Sequence, residues 1–160
     1  MSHARRKLTV ALSIALGIAA PVGVLIAAQS AQDLQKARHD HYHELGDAFK
    51  TVRDQTRAGS PNMAKIKSAA QVINEASVDQ GRWFPHGTGP EAGKTRALPE
   101  IWKRPEDFKA AQKVFSDAAP KLLAAANAGD LSQLKSTYGE LGKACKNCHD
   151  TFRAPEDHDH

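Results

Sequence analysis

The 160-residue chain is poor in sulfur: it has only two cysteines, Cys145 and Cys148, and only two methionines, Met1 and Met63. Two thiols leave a structural zinc site two donors short. The histidines best placed in sequence to complete it, His158 and His160, sit in a short acidic tail that offers little to fix them. No βαβ pattern surrounds the cysteines, which argues against a thioredoxin-like redox pair. Convincing strand alternation, internal repeats and extended low-complexity tracts are also missing. Charge of one sign is scarce as well. The formal net charge is +4, but Arg5, Arg6 and Lys7 lie in the first 28 residues, and without them 19 basic side chains face 18 acidic ones. A balanced chain of this kind gives no reason to propose a nucleic acid partner.

The one long apolar run lies at the amino end. Arg5, Arg6 and Lys7 precede an uncharged stretch from Leu8 to Ala28, with small residues at Ala27, Ala28, Ser30 and Ala31. This reads as a secretory signal over residues 1–28 that sends the chain to the periplasm. The run is also long enough for an uncleaved inner-membrane anchor, although Gly17, Pro21 and Gly23 weaken it as a helix. Residues 29–154 are then one domain with a core of its own, and 155–160 an acidic, histidine-bearing, solvated tail.

Against that background, Cys145-Lys146-Asn147-Cys148-His149 carries the chemistry. Two thiols three residues apart followed at once by an imidazole form the attachment pattern of c-type haem, with thioether bonds from both sulfurs and the histidine on the iron. The apolar spacing around the motif is helical. Leu131, Leu134, Tyr138, Leu141, Cys145, Cys148 and Phe152 recur at steps of three and four. Cys145, Cys148 and His149 therefore span about a third of one helix circumference and point the same way. Asp130 is the expected start of this helix, and Pro155 a stop.

Three further helices are expected. The first runs from about Ala31 to Arg57 with Leu34, Arg38, Leu45, Phe49 and Val52 near one face. A second runs from Asn62 to about Gln80, and a third from Pro105, with Pro120 expected to kink it. Between Gly81 and Arg104, glycines and prolines break the pattern and enclose Trp83 and Trp102, which reads as a long ordered crossover loop with the tryptophans packed beneath it. Four helices with one long middle connection predict an all-α, antiparallel four-helix bundle with one covalently attached haem in the core.

These residues resemble the class II cytochromes c, the group of cytochrome c-prime and its low-spin relatives. The marks are the Cys145 to His149 motif near the carboxyl end followed by Phe152-Arg153, Arg38 in the first helix, and the stretch from Trp83-Phe84-Pro85 to Leu98-Pro99-Glu100-Ile101-Trp102. The resemblance implies one haem c, a periplasmic and often homodimeric protein, His149 as axial ligand, Arg153 nearby, and Arg38 at the haem edge where its guanidinium pairs with a propionate.

One position departs from the pattern. Four residues after the first-helix arginine, low-spin relatives carry a methionine ligand and cytochrome c-prime a leucine or other non-ligating residue; here it is Tyr42. Tyr42 covers an open iron position or binds the iron as phenolate, which is costly near neutral pH. His41 is a further candidate sixth ligand, whereas His39 and His43 read as solvent-facing. One-electron transfer with redox partner proteins is the leading functional expectation. Binding or sequestration of a diatomic gas such as NO or CO is the alternative. No clear acid–base pair stands beside the expected iron site, so the chain is read as a non-enzyme.

Overall fold

In the computed structural model, residues 29–155 are described; the expected signal segment and all of the tail beyond Pro155 lie outside them. Among the described residues five α-helices form: α1 (Ala31–Arg57), α2 (Met63–Asp79), a short α3 (Glu100–Lys103), α4 (Pro105–Ala128) and α5 (Leu131–Phe152). The four long ones are the bundle. No helix among the described residues is long and apolar enough to cross a membrane.

Local chemistry sets the helix ends. Ser30 Oγ accepts from the Asp33 amide while Asp33 Oδ2 accepts from the Ser30 amide, a reciprocal cap that satisfies two otherwise orphaned donors. Asn62 caps α2 through the Lys65 amide, and Asp130 caps α5 through the amides of Ser132 and Gln133. Pro105 opens α4, where its missing N–H costs nothing. Gly129 closes the same helix at φ +71°, a left-handed conformation that glycine adopts without a Cβ penalty. The interior Pro120 does not divide α4, which continues to Ala128.

Each long helix packs on two neighbours: α1 on α2, α2 on α4, α4 on α5, and α5 back on α1. Their directions follow from the contacts at one end. There Arg38 near the start of α1 meets Trp83 just past α2, Gln80 after α2 meets Gln112 of α4, and Phe108 of α4 meets Phe152 at the end of α5. Neighbouring helices therefore run antiparallel.

The interior divides into two apolar groups. The larger holds Val52, Ile66, Ile73, Leu122, Leu134 and Leu141, all fully buried, with alanines that let the helices approach closely. The smaller, at the end just described, is built on Ile101, Phe108 and Phe152, with Phe84 and Trp102 against it. Cys145 packs on the first group and Cys148 on the second, so the cysteine motif straddles their junction. Leu131, expected on the buried stripe, is exposed, whereas Leu134 one step along the same stripe is fully buried.

Candidate functional site

The site is the end of the bundle where α1 and α4 begin and α2 and α5 finish. On α5, Cys145, Cys148 and His149 are half-buried while Lys146 and Asn147 face solvent, the arrangement expected from the spacing. Both thiols are free. Burial pushes the Cys145 thiol up to about 11, with the neighbouring Cys148 adding to the effect, and burial also raises Cys148. His149 moves the other way: burial, then the cations Arg153 and Arg96, hold it below the usual histidine range against the pull of Asp150. Its imidazole is therefore neutral near pH 7, the form that donates a lone pair to a metal.

Arg153 caps α5 with its backbone N–H on His149 O at 3.1 Å, which sets it one turn beyond the histidine. A cavity of about 310 Å³ opens between α4 and α5 and is lined in part by Ala110, Ala111, Val114, Ala144, Asn147 and Cys148.

Tyr42 stands across from the cysteines, close enough that both sulfurs enter its electrostatics. Trp83 meets its ring edge-on at 5.1 Å and Phe84 at 6.1 Å. Burial first, then the two sulfurs, drive its phenol well above the ordinary tyrosine range, with Arg38 and Arg153 opposing. His41, the other candidate opposite the motif, is exposed, and its ring stacks on Trp83 at 4.8 Å and 15°. His39 and His43 are exposed, as expected. Met63 packs against the larger core group.

Arg38 is 4% exposed, and its guanidinium holds the crossover loop. One terminal nitrogen donates to Trp83 O (3.2 Å) and Thr88 Oγ1 (2.9 Å), the other to Thr88 O (2.8 Å) and Thr95 Oγ1 (3.2 Å). The cation also lies 4.8 Å from the Phe84 ring centre and 5.9 Å from that of Trp102. Gln35, one turn earlier, donates to Thr88 O and Gly89 O. Trp102 Nε1 reaches the carbonyls of Phe84 and Pro85, both at 3.1 Å, so the half-buried tryptophans do underlie the loop. Sequence reasoning missed Gln35, Thr88 and Thr95. Gln35 and Arg38 bond Thr88, and Arg38 bonds Thr95, all across fifty residues or more, and no local pattern marks them.

Two free thiols and a neutral imidazole on one side of a helix, at an aromatic-lined end of a four-helix bundle, are a donor set that fits covalent haem c. A family model for cytochrome c′ matches residues 33–153. A cytochrome c′ from Alcaligenes xylosoxydans xylosoxydans is 35% identical over 123 residues, covering 76% of this chain and 94% of that protein. The crystal structure of cytochrome c′ from Thermochromatium tepidum superposes with a TM-score of 0.74 at 28% identity, covering 81% of this chain and 100% of that one. A nitric oxide complex of a leucine-to-alanine mutant of cytochrome c prime from Alcaligenes xylosoxidans gives 0.72 at 32%, covering 81% and 99%. The chain belongs to the cytochrome c′ family, and its cofactor is covalent haem c.

Proposed function

We propose that the chain is a periplasmic haem protein in which Cys145 and Cys148 hold the haem, His149 is the axial ligand, and Tyr42 covers the opposite face without binding iron, so that a diatomic gas binds there. The packing of Tyr42 carries this reading. Its ring is met edge-on by Trp83 at 5.1 Å and at a tilt by Phe84 at 6.1 Å, an aromatic cluster that places a bulky cover across from the cysteines. The other candidate ligands are engaged elsewhere, His41 on Trp83 and Met63 in the larger core group.

When bound, the haem supplies a one-electron couple and, on a face without a protein ligand, a coordination position for a small molecule. The protein side chains do the rest. His149 offers a neutral nitrogen, held by burial and by the cations beside it. Tyr42 with Trp83 and Phe84 restricts access and excludes water. Arg38 fixes the loop that carries those two aromatics, and a haem propionate is a second partner for its charge. The relative solved with nitric oxide, 32% identical, supports the same use here. One-electron transfer to a partner protein is the second reading, favoured by the cavity at Cys148, which opens between α4 and α5 and would bring a haem edge near the surface.

Absorption spectra of the mature protein test the choice. The ferrous form is expected to be five-coordinate and high-spin and to bind carbon monoxide. Tyr42→Ala should speed ligand entry, because the ring is removed and no bond to iron is lost. A low-spin ferrous spectrum with negligible carbon monoxide binding would overturn the gas reading and leave electron carriage.

A further inference from the structure

We propose that His39 and His43 form a binding site for a divalent late first-row transition ion, Cu²⁺ before Ni²⁺ or Zn²⁺, on the outer surface of α1. The site uses none of the residues assigned to the haem. Residues four apart share one helix face. Both histidines are exposed, so an ion reaches them without disturbing the core. Their rings already stand together, with centroids 4.4 Å apart at an interplanar angle of 62°.

That spacing lets one ion be shared. With a metal ~2.1 Å from each nitrogen, a ring centroid lies about 3.2 Å from the ion, so two imidazoles on one ion stand about 4.5–5.2 Å apart, and the edge-on pair at 4.4 Å needs only a small side-chain rotation to turn both nitrogens towards it. The order of affinity for nitrogen donors favours Cu²⁺.

The surrounding charge neither creates nor blocks the site. Asp40 lies between the two histidines in sequence and within electrostatic reach of both, but its carboxylate is bonded to Lys36 at 2.6 Å. The two opposite charges largely cancel. Binding then rests on two imidazole nitrogens with water completing the shell, a set that suits late transition ions better than Ca²⁺ or Mg²⁺. His41, between them in sequence, is turned onto Trp83 and adds no third ring.

The test is calorimetric titration of the mature haem-loaded protein with CuCl₂, NiCl₂ and ZnCl₂, with electron paramagnetic resonance of the copper form. One Cu²⁺ per chain should bind, more tightly than Ni²⁺ or Zn²⁺, with nitrogen couplings in the copper spectrum. His39→Ala and His43→Ala should each weaken it by at least ~10-fold, the low end of what even an outer-shell partner costs. His41→Ala and the double change His158→Ala, His160→Ala should leave it unaltered. Absence of saturable copper binding would sink the proposal. So would binding that survives both single changes, a preference for zinc, or loss confined to the double change in the tail.

Discussion

Arg38 shows how much one buried cation can organise. Its four hydrogen bonds to Trp83, Thr88 and Thr95 exchange water for fixed acceptors, and truncation would strand those acceptors in a buried pocket. Arg38→Ala should therefore lower stability by about 2–4 kcal/mol in urea unfolding of the haem-loaded protein. Arg38→Lys should recover little of it, because a single ammonium cannot reproduce the planar fork. Tyr42 supplies a prediction in pH. Its folded phenol titrates above the unfolded one, so the stability it contributes is complete below the unfolded value and is lost as pH rises towards the folded value. Above about pH 10 the wild type should lose up to ~1.4 kcal/mol per pH unit more than Tyr42→Phe. Denaturant midpoints of the two proteins on either side of that pH read the difference. An identical alkaline slope in both would mean that the phenol is solvated in the fold.

Among the elements, α5 starts on three exposed residues, Leu131 to Gln133, before Leu134 enters the core, so its cap bears on the opening turn. Asp130 caps two amides there, and Gly129 supplies the left-handed residue that ends α4 immediately before. Asp130→Ala should cost about 1 kcal/mol, and Gly129→Ala a similar amount because φ +71° strains an alanine. Thermal unfolding of the two single variants measures both. These same signals made the helices legible in the sequence. Asn62, Pro105 and Asp130 mark starts, Pro155 a stop, and the three–four spacing in α5 marks the face that carries Cys145 and Cys148. What the sequence hid was tertiary. The short α3 sits in a segment read as loop, because its four residues are too few for any periodicity. The grip of Arg38 on Thr88 and Thr95 depends on a crossover path that only packing determines. The helical angle alone makes His41 a candidate iron ligand; its stacking on Trp83 needs the loop to be in place.

At the level of the whole molecule, a single bundle end gathers the haem motif, the covering aromatics and the arginine that fixes them. The remainder is alanine-rich packing that lets neighbouring helices approach closely. Where α1 begins bears on the expected signal segment. Ser30 is the cap of α1, so a cut before it leaves the first helix with its own start, while a cut after it would forfeit about 1 kcal/mol. Mature protein from the periplasm is expected to begin between Gln29 and Gln32 and to stay soluble without detergent, as amino-terminal sequencing would reveal. Intact chains starting at Met1 and recovered with membranes would identify the apolar run as an anchor.

The crossover is tied down at two places far apart along the chain. One is Arg38. The other is the end of α5, where Leu98 N–H meets Phe152 O, Ala154 N–H meets Arg96 O, and the Arg96 guanidinium returns to Ala154 O. The second fastening point lies within ten residues of both cysteines, at the end of the same helix, so the carboxyl end serves the motif and the crossover at once. Fraying of the last turn of α5 would release the crossover and loosen the ground on which Cys145 and Cys148 stand in a single event.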